Sequence, residues 1–150
     1  MTPGRPDAEI LRRHLLALDA ALAGLRRHAG RPIAALRDDL DEVWAVERGF
    51  QLCTQNCLDI ATHVAAGTGH DVADYASAID RLAETGVLPP QFARRFRAIA
   101  GFRNVLVHGY LEVDLDRLHT LLNEQLSDFV EFASHVQAYL GRMTEPSQDV

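Results

Sequence analysis

The sequence predicts an all-α protein built as a bundle of four to five antiparallel helices. Three observations predict it. Apolar residues recur at spacings of three and four along most of the chain, which places them on one face of a helix. No segment alternates apolar and polar residues between hairpin turns, as a half-buried strand would. The breaks between the apolar seams are short and carry Gly or Pro, at Gly30 and Pro32, at Gly67 to Gly69, and at Gly86 to Pro90.

Composition narrows the class. A chain of 150 residues suits one domain with a sizeable core, spanning 1–150, with loose tails expected at 1–6 and 144–150. Its 47% hydrophobic and 24% charged residues match a soluble globular protein. A net charge of -6 argues against a general nucleic-acid coat protein, which is usually basic, but leaves room for a local basic site. No apolar run approaches the roughly 20 residues that span a bilayer. The opening Met1 to Asp7 has no apolar stretch of the signal-peptide kind. A cytoplasmic location away from membranes is expected. Cys53 and Cys57 have no second cysteine pair to complete a zinc site, and their helical spacing suits core packing. No metal and no cofactor are expected.

Each element has its own signal. Asp7 is the expected N-cap of the first helix. Leu11, Leu15, Leu18, Leu22 and Leu25 form its seam, and Gly30 and Pro32 end it. A long second helix is expected from the middle thirties to Ala66, with its seam running from Leu36 through Phe50 to Val64. Asn56, Asp59 and His63 lie along its flank, with Arg48 and Gln55 further round. Such a flank is either a solvated face or the wall of a cleft. Residues 73–85 form a short third helix stopped by Gly86. Pro90 suits the first turn of a fourth helix, from Gln91 to His108. A fifth starts near Asp114 or Asp116 and runs to about Gly141 along Leu115, Leu118, Leu122, Leu126, Phe129, Ala133, Val136 and Leu140.

The fourth helix carries the densest chemistry. It holds Arg94, Arg95, Arg97 and Arg103 and no acid, one basic element in an acidic chain. Arg94 and Arg95 fit a solvated face. Arg103 shares the apolar stripe of Phe92, Phe96, Ile99 and Leu106. A guanidinium in that phase needs a partner charge, a cleft or a subunit interface, because burying it unpaired is costly. His108 is about 40° from Asn104 round an ideal helix but about 140° from Arg103. One straight helix therefore does not join Arg103 to His108. A histidine at a helix end is either a capping residue or an acid–base catalyst.

Arg103, His108 and Tyr110 form the spacing Arg-(four)-His-X-Tyr within Gly101-Phe102-Arg103-Asn104-Val105-Leu106-Val107-His108-Gly109-Tyr110. This segment resembles the signature of HEPN-domain toxins of the HepT type. The resemblance extends to Val46-Glu47-Arg48 through Leu58-Asp59-Ile60-Ala61-Thr62-His63 and to the turn from Leu82 to Pro89. It covers roughly residues 35 to 135.

The resemblance implies a HEPN-like fold working as a homodimer, and the toxin of a type VII (HepT/MntA) toxin–antitoxin pair. It implies a metal-independent endoribonuclease acting on tRNA or mRNA. His108 is then the acid–base group at the ribose 2′-hydroxyl, Arg103 stabilises the charged phosphorane, and Asn104 orients His108. Asp59, His63 and Arg48 are implied as secondary site residues. The implied partner is an MntA-type nucleotidyltransferase antitoxin that transfers AMP to Tyr110, in a hetero-oligomer with the toxin dimer. The alternative is a non-catalytic HEPN-like module that binds a nucleotide or the nucleotidyltransferase.

Overall fold

In a computed structural model, the structure describes residues 5–108 and 114–144, with side chains for all of these except 104–108 and 144. The described residues form eight helices and no strand: α1 (Ala8–Arg26), α2 (Ala34–Arg37), α3 (Leu40–Gly67), α4 (Tyr75–Glu84), α5 (Pro90–Phe96), α6 (Ile99–His108), α7 (Leu115–Glu124) and α8 (Leu126–Thr144). The expected all-α class holds. Three of the expected helices are each two successive helices, because the apolar seam keeps its phase across a backbone break.

The expected second helix divides at Asp38 and Asp39. Asp39 is extended, at φ -141° and ψ 105°, and its carboxylate accepts from the Asp41 amide, with Asp41 and Glu42 in the first turn of α3. Acids there satisfy open N–H groups and complement the helix dipole. The expected fourth helix divides at Arg97 and Ala98, where the Ala100 amide bonds the Arg97 carbonyl at 3.2 Å. The Arg97 guanidinium is held there by both Asp80 oxygens, at 3.0 and 3.2 Å. The expected fifth helix divides at Gln125, whose side chain donates to Asp128 at 2.9 Å.

The other boundaries follow the sequence. Asp7 caps α1 by accepting from Glu9 and Ile10, and every leucine of the α1 seam is buried. Asp74 caps α4, accepting from the Ser77 amide at 2.7 Å, which holds its carboxyl below the usual range. Gly86 ends α4 at φ 80°, a left-handed conformation that a residue with a Cβ adopts only with strain.

α3 is the central element, and α1, α4 and α6 pack along it. Its inner face buries Val46, Phe50, Cys53, Cys57, Ile60 and Val64. Cys53 and Cys57 are free, buried thiols, and burial pushes the Cys53 thiol up to about 12, so it stays protonated and packs as a small apolar group. Phe50, Phe96, Phe129 and Phe132 join α3, α5 and α8 in one aromatic core, with Phe96 stacked on Phe132 at 4.9 Å and edge-on to Phe129 at 6.1 Å. Pro6, at the edge of the expected loose tail, is buried, and a Cβ on Gly67 would come within 2.7 Å of its backbone. Among the described residues, no helix is long and apolar enough to cross a membrane.

Candidate functional site

α6 reaches the site already anchored on the core. Ile99 is buried, and the Phe102 ring meets Phe50 edge-on at 5.9 Å. The next residue, Arg103, is half-buried between α3 and α4. Its Nε donates to Oε1 of Gln55 at 3.2 Å, and its guanidinium carbon lies 5.5 Å from the centre of the Tyr75 ring. Nε2 of Gln55 in turn donates to Oδ1 of Asp59 at 2.7 Å. The structure therefore joins Asp59, Gln55, Arg103 and Tyr75 from three helices.

The sequence left open whether Arg103 meets a charge, a cleft or an interface. Its polar contact is a neutral amide, and among the described residues no carboxylate lies within ion-pair range of it. Its arginine neighbours differ. Arg95 pairs with Asp128 at 3.1 Å and Arg97 with Asp80 at 3.0 Å. The expected basic element is thus paired at Arg95 and Arg97, and Tyr75, which Arg103 meets, also lines a cleft of about 200 Å³ with Thr62, Val72, Ala73 and Asp74. A guanidinium offers five donors and no acceptor. Engaging Nε leaves the terminal nitrogens able to bind an oxyanion bidentately.

The polar flank of α3 does not act as one surface. Asp59 and Gln55 face α6. Asn56 instead accepts from Nδ1 of His14 on α1 at 2.9 Å, while its own Nδ2 donates to the Leu52 carbonyl. His63 accepts at Nε2 from the Asp7 amide at 3.0 Å, so it serves the start of α1. Arg48 is exposed and donates to Gln51 at 3.3 Å. Of the three expected secondary residues, Asp59 alone joins the Arg103 cluster.

Asn104 and His108 lie on α6, which runs through both positions as one helix, so an angle of about 140° round the axis separates positions 103 and 108. The side chains of Asn104 and His108 lie outside the described residues, as do Gly109 and Tyr110 entirely. Among the described residues, no three His, Cys, Asp or Glu side chains gather as a metal-ligand set.

Two features escaped sequence reasoning, one in the site and one elsewhere on α3. Tyr75, beneath Arg103, sits on a different helix, and nothing in its local pattern marks it. Glu47 lies one turn before Gln51, and its Oε1 is buried without a hydrogen-bond partner among the described residues. Burial raises its carboxyl above the usual range. A glutamate beside the buried Val46 was a visible signal for it.

Comparison with known proteins decides the family. The family model described as "Ribonuclease HepT-like" matches residues 18–136. The chain belongs to the HepT-like ribonuclease family. Among curated relatives it is 26% identical to the mRNA nuclease HepT of Shewanella oneidensis over 90 residues, covering 59% of this chain and 68% of that one. It is 27% identical to the tRNA nuclease HepT of Aphanizomenon flos-aquae over 101 residues, covering 66% and 68%. Among solved structures, the tri-AMPylated Shewanella oneidensis HEPN toxin in complex with MNT antitoxin aligns at a TM-score of 0.75 and 21% identity, covering 86% of this chain and 97% of that one. The cytosolic protein of unknown function YutE from Bacillus subtilis aligns at 0.80 and 19%, covering 95% and 96%. At these identities the solved structures establish the HEPN fold.

Proposed function

We propose that this HepT-like chain is the toxin of a HepT/MntA pair, an endoribonuclease that needs no metal ion. The observation that carries the reading is Arg103, a half-buried guanidinium held by Gln55 and Tyr75 with no carboxylate to neutralise it among the described residues. It is a cation kept ready for an anion. The naming of two curated relatives as an mRNA nuclease and a tRNA nuclease supports RNA as that anion.

The chemistry assigned to these residues is transesterification. His108 takes the proton of a ribose 2′-hydroxyl, and the 2′-oxygen attacks the adjacent phosphorus. The bond from phosphorus to the 5′-oxygen breaks, and that oxygen takes up a proton from His108 of a second copy of the chain. The products are a 2′,3′-cyclic phosphate and a 5′-hydroxyl. A histidine titrates near the working pH and suits both transfers. Arg103 binds the non-bridging oxygens as negative charge builds on them, and Asn104 orients His108.

A homodimer brings the motif residues of two copies into one cleft, which removes the obstacle of the 140° separation. Exposed Leu40, Trp44 and Leu52 support it: they share an arc of about 120° on α3 with Gln55 and Asp59, an apolar surface that a second copy can cover. The complex of the Shewanella toxin with its antitoxin supports an MntA-type partner. AMP added to Tyr110, two residues past His108, sets bulk and negative charge against RNA phosphates.

The test is cleavage of total RNA in EDTA by the unmodified chain and by His108→Ala. Fragments with cyclic phosphate ends that disappear in the variant support the proposal. A folded dimer that cuts no RNA returns the chain to the non-catalytic module.

A further inference from the structure

Gln55 and Asp59 form a two-step device whose atoms allow one arrangement. Arg103 can only donate, so it requires the oxygen of the Gln55 amide. An ionised Asp59 can only accept, so it requires the amide nitrogen. The observed pairs, Arg103 Nε to Gln55 Oε1 at 3.2 Å and Gln55 Nε2 to Asp59 Oδ1 at 2.7 Å, satisfy both demands at once. With the amide turned over, nitrogen faces the guanidinium, oxygen faces the carboxylate, and both hydrogen bonds are lost. The one-turn spacing of Gln55 and Asp59 on α3 builds the device into a helix that the core already holds rigid.

We infer that Gln55 is a positioning residue for Arg103, and that Asp59 acts through Gln55 by fixing which end of the amide faces the guanidinium. The inference rests on the ribonuclease reading for its catalytic meaning. Gln55 is neutral, so it orients Arg103 without competing with RNA phosphate for its charge. It engages Nε, which leaves the terminal nitrogens as donors for an oxyanion. The face of Tyr75 limits swing on the α4 side. Asp59 contributes its charge one step removed, where it does not oppose the RNA.

Asp59→Asn isolates the direction-setting role, because asparagine has the same shape but offers both a donor and an acceptor. Gln55 can then satisfy its partner in either orientation. Gln55→Met keeps length and packing and removes the acceptor. In RNA cleavage, each variant is expected to lower kcat about tenfold with little change in KM, the result of a misplaced cation rather than a lost binding surface. Asp59→Asn in the Gln55→Met background should cost nothing further, because Asp59 acts only through Gln55. Gln55→Glu is expected to be at least as poor as Gln55→Met, since its carboxylate neutralises Arg103 and faces Asp59.

The second readout needs no catalysis. The side-chain Nε–Hε resonance of Arg103 in ¹⁵N NMR should be sharp and slow to exchange in the wild type, and broadened in Asp59→Asn and Gln55→Met. Additive losses from Asp59→Asn and Gln55→Met, or an unchanged Arg103 resonance in both, overturn the inference. A wild type that cuts no RNA but shows the resonance changes sinks the ribonuclease reading and leaves the device standing.

Discussion

The backbone N–H of Asp7 donates to Nε2 of His63 at 3.0 Å, joining the start of α1 to the last turns of α3. The bond requires a lone pair on Nε2, so the proton of the neutral ring sits on Nδ1. The first amides of a helix have no partner within it. Asp7 covers those of Glu9 and Ile10 with its own carboxylate, and His63 covers that of Asp7. His63→Ala is therefore expected to destabilise the protein by about 1–2 kcal/mol, the cost of a lost hydrogen bond to a helix cap. Amide hydrogen exchange should accelerate first at residues 7–11. Equal exchange across the whole chain would show that His63 is not tied to α1 in this way.

Close packing at the same corner gives a second test. α3 ends at Gly67, where a Cβ would come within 2.7 Å of both the backbone nitrogen and Cα of Pro6. Backbone yields less readily than the tip of a side chain. Gly67→Ala should therefore push residues 6 and 7 outward at a cost of about 1–3 kcal/mol, the usual penalty for overpacking. Combined with His63→Ala the losses should fall short of their sum, since either change alone weakens the same corner. Thermal denaturation of the two single variants and the double variant measures this.

Those contacts show what a single sequence hides. The seam and cap of α1 were legible because Leu11 to Leu25 and Asp7 are local signals. The breaks before Asp39, at Arg97 and at Gln125 were not, because apolar periodicity reports which face is buried and keeps its phase through a short interruption. Asp39 followed by Asp41 and Glu42 is an N-cap pattern that the continuous seam masked, whereas the break at Arg97 has no local mark, and the Arg97 side chain there bonds Asp80 of α4. Arg103 stood out as a charge in an apolar phase. Gln55 was visible as part of the polar flank, but its contact with Arg103, the place of Tyr75 and the division of that flank were not, because they depend on which helix packs where. Asn56, Asp59 and His63 are near neighbours on one wheel, yet α1 claims Asn56 and His63 while α6 claims Asp59 through Gln55.

Glu47 gives a pH-dependent prediction. Burial penalises its charged form, so its carboxyl is raised above 4.5 in the folded protein. The folded state then holds more of this proton than the unfolded chain at the pH values between those two titrations. Stability from this group accordingly falls as pH rises through that window, and stays low above it. Glu47→Gln removes the titration and keeps the shape. Its melting temperature relative to wild type should increase as pH is raised from about 4 to 7. A constant difference across that range would mean that Glu47 is ionised at no cost in the folded chain.

Arg103→Lys separates charge from geometry. Lysine retains the positive charge but carries one rotatable ammonium in place of a planar fork. Arg103 holds Gln55 through Nε, and the cleft reading needs its terminal nitrogens at the same time. An ammonium that bonds Gln55 sits back against α3, and one that reaches into the cleft abandons Gln55. Cleavage by Arg103→Lys should therefore fall by about 10²-fold, a loss of the size seen when one positioned oxyanion donor is removed. Arg103→Ala should fall further, because the charge goes as well. Stability should change little in the lysine variant, since the described residues provide no ion pair for Arg103 to lose. Lysine activity within a factor of two of wild type would show that charge alone suffices, and that the fork held by Gln55 is not what the reaction uses.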